Sequence, residues 1–164
     1  MPTKNMPLIK NPNKFSGCGK TFKLTVQFAA DKTNIPGRQL FRKWVGAALN
    51  KPAEIVIRIV GMQEGEVLNR KFRGKDSATN VLTFVYSDDV PLLGDIVLCA
   101  PVISREAEQQ NKDLVAHYAH LIVHGVLHLQ GYDHISDEDA VVMESLETKI
   151  ITRLNYPDPY VIQQ

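Results

Sequence analysis

Two cysteines in 164 residues, Cys18 and Cys99, are too few for a disulfide framework. They read as reduced, unpaired thiols. No apolar run approaches the ~20 residues that a membrane-spanning helix needs. The first twenty residues hold no apolar stretch longer than Leu8-Ile9, which excludes a secretory signal. The expectation is therefore a soluble cytoplasmic chain. Acidic residues are scarce in one half only. Residues 1–50 carry nine Lys/Arg against the single acid Asp31, whereas residues 51–164 carry ten against seventeen, for a net charge of +1. A basic half suits an anionic partner such as nucleic acid, and it equally suits a solvated face.

Hydrophobic residues make up 44% of the chain, enough for a core that needs no metal or disulfide to hold it. A metal site, if present, can then be functional. Pro2, Pro7, Pro12, Gly17 and Gly19 punctuate the start, so residues 1–20 read as a flexible basic leader and residues 21–164 as one domain. Phe22, Leu24, Val26 and Phe28 alternate with polar or small residues, the signature of a half-buried strand. Pro36 opens a helix with Leu40, Phe41, Trp44, Val45, Ala48 and Leu49 at helical spacing. The Ile/Val run from Glu54 to Val60 suits a strand covered on both faces. A short helix over Gln63–Lys71 and strands over Asn80–Tyr86 and Asp95–Cys99 follow.

Arg105–Leu129 contains no proline and reads as one long helix that Gly131 stops. Ser136 caps a last helix, with Asp137, Glu138 and Asp139 at its positive end and Met143, Leu146, Ile150 and Leu154 on its buried face. The fold class is α+β: about four mixed strands packed against several helices, with a metal site at the end of the long helix.

All five histidines fall within residues 117–134, and the segment 124–134 reads H-G-V-L-H-L-Q-G-Y-D-H. On a helix, His124 and His128 stand one above the other on one face. A left-handed Gly131 turns the chain back and brings His134 to the same ion. Three neutral imidazoles suit Zn2+ and leave a coordination position open, the mark of a catalytic site. His120 forms a competing i, i+4 pair with His124 and is read as buried or as a support behind a ligand; His117 is unassigned. Asp133 could orient an imidazole or cap the turn. Glu144 and His120 are candidates for a fourth ligand, which would make the metal structural. The spacing is also that of H-E-x-x-H-x-x-G-x-x-H zinc proteases, but Gly125 stands where their general-base glutamate would be, which disfavours peptide hydrolysis.

A second constellation is L-N-R-K-F-R-G-K-D at 68–76. Arg70, Lys71, Arg73 and Lys75 crowd together, and guanidinium groups match phosphate with paired hydrogen bonds. The same cations could simply complement a helix C-terminus.

These segments, with T-N-V-L-T-F at 79–84, L-G-D-I-V at 93–97 and H-G-V-L-H-L-Q-G-Y-D-H-I at 124–135, resemble the bacterial YbeY-type rRNA maturation factors over roughly residues 55–150. That resemblance implies an α/β fold related to the zinc proteases and one zinc ion on His124, His128 and His134. It implies a catalytic or RNA-binding Arg73, with Arg70, Lys71 and Lys75 on the substrate. It further implies a single-strand-specific endoribonuclease that matures the 3′ end of the small-subunit RNA, partnered by ribosomal proteins or a ribosome-associated GTPase. Ala78 and Val85 stand where prolines usually flank the T-x-V-L-x-F strand. The competing expectations are a metallopeptidase-like hydrolase and a non-enzymatic RNA-binding assembly factor with a structural metal.

Overall fold

The computed structural model describes residues 21–75 and 78–161. The leader and Cys18 lie outside the described residues. Four strands, β1 (Phe22–Ala29), β2 (Ala53–Val60), β3 (Val81–Ser87) and β4 (Leu92–Cys99), form one sheet in the order β1-β2-β4-β3. β1 and β2 run parallel, as do β2 and β4, while β3 returns antiparallel beside β4. The parallel pairs need crossovers, which the helices α1 (Arg38–Ala48) and α2 (Met62–Arg73) begin. Three further helices follow: α3 (Ala100–Gln109), α4 (Leu114–Leu129) and α5 (Asp137–Arg153).

Strand periodicity decides which side chains meet which helices. Ile55, Ile57 and Ile59 of β2 and Ile96 and Leu98 of β4 face the main core, with Phe41 and Trp44 of α1 and Ile122 and Val126 of α4. Each fully buried Ile contributes roughly 1.5–3 kcal/mol relative to exposure. The alternate residues Val60, Val97 and Cys99 join Leu82 in a smaller cluster beneath Leu68 of α2 and Val102 of α3. The central strands are thus covered on both faces, as the unbroken Ile/Val run of β2 anticipates. Cys99 is buried and unpaired. Among the described residues, no helix is long and apolar enough to cross a membrane.

One sequence expectation is corrected. The stretch 105–129 is two helices, not one. Asn111 takes a left-handed conformation (φ 52°), and Asp113 caps α4 by accepting a hydrogen bond from the Ala116 N–H at 3.0 Å. Both residues compete for backbone hydrogen bonds through short polar side chains, so they break the helix without glycine or proline. α4 therefore starts afresh at an angle of its own and lies over the sheet. Two close approaches bring it there. A Cβ on Gly94 would meet the Leu129 Cδ2 at 2.8 Å, and one on Gly125 would meet the Ile96 Cδ1 at 3.3 Å. The far end of α4 is pinned by the buried Gln130, whose amide donates to the Ala48 carbonyl at 2.8 Å and whose Oε1 accepts from the Asn50 N–H at 2.8 Å.

Candidate metal centre and nucleic-acid cleft

The pinned end of α4 carries His124 and His128 one turn apart, with ring centroids 4.5 Å apart. Gly131 follows at φ 91°, and its N–H bonds to the His128 carbonyl at 2.9 Å. That left-handed turn reverses the chain and sets His134 with its ring centroid 5.6 Å from His124 and 5.1 Å from His128. One ring nitrogen from each of the three lies within 4.8 Å of the others.

The far nitrogens of two rings are already committed. His128 Nδ1 donates to the Tyr132 carbonyl at 2.9 Å. His124 Nδ1 lies 2.5 Å from Oε1 of Glu147, a fully buried carboxylate on α5. The same Oε1 takes His120 Nε2 at 3.1 Å, and Oε2 takes the hydroxyl of Tyr160. Burial works to raise the Glu147 carboxyl, but the hydrogen bonds from His120, His124 and Tyr160 outweigh it and hold it down at about 2. A carboxylate only accepts, so His124 donates from Nδ1, which leaves Nε2 as its atom for a ligand. Burial is the largest influence lowering the pKa of His128, and the nearby His124 and His134 lower it further, against Asp133 and the hydrogen bond to Tyr132. Neutral imidazoles with oriented lone pairs are what a divalent metal requires.

His120, His124 and Glu147 also form a possible ligand group. Every oxygen there is engaged and Glu147 is sealed from solvent, so an ion would have to displace three hydrogen bonds. The His124, His128 and His134 group instead opens on a cleft of about 760 Å³. Of the two groups, the His124, His128 and His134 one could hold a metal ion and keep a coordination position facing the cleft.

The remaining sequence candidates divide. Arg73, in the last turn of α2, lines the cleft with Asn80, Thr83 and Asp133. Arg70 and Lys71 lie in the same turn, and Lys75 is exposed beyond Gly74, which caps the helix at φ 68°. The basic turn therefore both completes a helix end and borders the cleft. Asp133 caps the turn: its Oδ1 accepts from the His134 N–H at 2.8 Å, whereas the His134 ring nitrogen is 4.0 Å away. Glu144 is exposed and joins no ligand group. His117 is tied to α3 through Glu106 Oε2 at 3.0 Å, and Asn80 donates to that same oxygen at 3.0 Å. Gly125 faces the sheet, between Ile96 and Thr83.

A family model described as Endoribonuclease YbeY matches residues 20–155. The chain belongs to this family. Proteins named Endoribonuclease YbeY resemble it over most of their length. The one from Nitrosomonas eutropha is 99% identical over 141 residues, covering 86% of this chain and 100% of its own. The one from Nitrosomonas europaea is 77% identical over 163 residues, 99% of each chain. The solution structure of TM1509 from Thermotoga maritima superposes with a TM-score of 0.56 at 26% identity, covering 84% of this chain and 99% of that one. The YbeY resemblance read from the motifs and the mixed α/β fold it implied both hold.

Sequence reasoning missed Glu147 and Tyr160, yet Glu147 leaves a trace. It sits four residues after Met143 and three before Ile150, on the buried face of α5. A charged residue on such a face implies a buried partner. Glu147→Gln keeps the shape but can present an amide N–H to one imidazole. Zinc affinity, read by competition with a chromogenic chelator, is expected to fall about 10- to 100-fold. Unchanged affinity would show that His124 is oriented without Glu147.

Proposed function

We propose that this protein is a zinc-dependent endoribonuclease that cuts single-stranded RNA in the cleft between α2, β3 and α4. The observation that carries this reading is the convergence of three imidazoles beside a guanidinium in an open cleft. Family membership supports the reaction class. The donor set, three imidazole nitrogens, supports zinc over harder cations that prefer oxygen. Zinc held there supplies Lewis acidity toward a phosphodiester.

The chain's own residues do the rest. Glu147 and the Tyr132 carbonyl fix two imidazoles. Arg73 receives the phosphoryl oxygens and neutralises the charge that grows on them. Arg70, Lys71 and Lys75 attract the strand on either side. Gly125 offers no general base, which separates this site from the zinc proteases. The nucleophile is either water or the RNA 2′-hydroxyl, and a 2′,3′-cyclic phosphate on the product identifies the latter. The substrate fitting the family is ribosomal RNA, notably the small-subunit 3′ end. The setting is then the cytoplasm, and the partners are the small subunit, its proteins and a ribosome-associated GTPase.

Highly purified protein should cut an unstructured oligoribonucleotide, stop after chelation and recover when zinc is returned. Cleavage that persists in metal-stripped protein, or turnover of peptides in place of RNA, would overturn the proposal.

A further inference from the structure

The cleft is polar at the histidines and apolar at its rim. Phe72, in the last turn of α2, lines it while 53% exposed. Ile135, beside His134, lines it while 86% exposed. Phe72 does not drift in solvent. Its ring packs against that of Phe84 on β3, with centroids 4.9 Å apart and planes at 68°. The contact holds the ring and still leaves half of the side chain uncovered. Two cations flank it. Arg73 is the next residue, and the Lys71 ammonium lies 5.3 Å from the Phe72 ring centroid.

An oriented, half-exposed aromatic ring with one cation poised over it and another beside it fits a ligand that is flat, apolar and joined to anions, which draw the Lys71 ammonium off the ring. An unpaired nucleotide base meets all three conditions. A base in a duplex does not, because its stacked neighbours cover both of its faces. We infer that Phe72 is a stacking platform for an unpaired base adjoining the phosphate that Arg73 receives, and that this contact selects single-stranded over paired RNA. The inference rests on the endoribonuclease reading of the cleft.

The platform also accounts for how a site of this kind can be indifferent to base identity. Every base has a π-face, so stacking discriminates pairing state and not sequence. An apolar protein side chain, by contrast, would be held by leucine as well as by phenylalanine.

The test compares wild type, Phe72→Leu and Phe72→Trp on one unstructured oligoribonucleotide, its duplex, and versions carrying single abasic sites walked along the strand. Phe72→Leu should raise KM for the single strand about 5- to 150-fold with kcat nearly unchanged. It should narrow the preference over the duplex by a similar factor, and Phe72→Trp should retain wild-type KM. One abasic position should raise KM for wild type and cause no further rise in Phe72→Leu. A wild-type KM in Phe72→Leu, or losses that multiply at every abasic position, would overturn the platform while leaving the nuclease reading intact. A wild type that cuts no RNA would overturn that reading itself.

Discussion

His128→Ala is expected to leave a folded protein that holds no zinc and cuts RNA at least about a thousandfold more slowly. The fold survives because His128 faces the cleft and not the core. What the substitution removes inside the protein is one hydrogen bond to the Tyr132 carbonyl, a net contribution of about 0.5–1.5 kcal/mol. The metal does not survive, because two imidazoles cannot hold it against solvent at the third position. Thermal unfolding separates the two effects. Zinc at a thousandfold excess over its dissociation constant stabilises a binding-competent chain by about 4 kcal/mol. Wild type should therefore show a large zinc-dependent rise in Tm, and His128→Ala none. If the variant binds zinc like wild type, the ion lies elsewhere, and the His120, His124 and Glu147 group becomes the candidate.

Arg73→Ala should act on a different quantity. Arg73 belongs to no ligand group, so zinc content and Tm should match wild type. In the role proposed for it, its charge opposes charge that builds up on phosphoryl oxygens in the transition state, and removing such a group typically slows a reaction about 10²- to 10³-fold. The loss should appear in kcat more than in KM. Arg73→Lys should recover only part of it, because an ammonium is a point charge without the planar fork that grips two oxygens. A variant whose KM rises while kcat holds would make Arg73 a binding residue only. A variant that loses RNA binding and processing equally would favour the non-enzymatic assembly factor.

Much of this architecture is legible locally. Alternation marks β1, an unbroken Ile/Val run marks β2, and Ser136 marks the start of α5, where its hydroxyl accepts from the Asp139 N–H at 3.1 Å. The convergence of His124, His128 and His134 is legible because its geometry depends on one helix and one glycine turn, all within eleven residues. The order of the strands is not, since a period-2 pattern says which face is buried and nothing about the neighbour. The break between α3 and α4 is hidden for a related reason: asparagine and aspartate end a helix through backbone hydrogen bonds that composition does not display. The carboxylate behind His124 was harder still. Asp133 stands next to a ligand in sequence and caps a turn, while Glu147 stands thirteen residues beyond His134 and does the orienting. Contact across two helices leaves only the faint mark of a charge on an apolar face.

The clamp formed by Glu147 and Tyr160 also sets an order of assembly. A chain is synthesised from its N-terminus, so the three imidazoles emerge before the carboxylate and the phenol that hold one of them in place. Without α5 in place and Tyr160 on the carboxylate, His124 lacks the acceptor that fixes its tautomer. The three imidazoles are thus written within eleven residues, and the group that fixes one of them arrives thirteen residues later, on a separate helix.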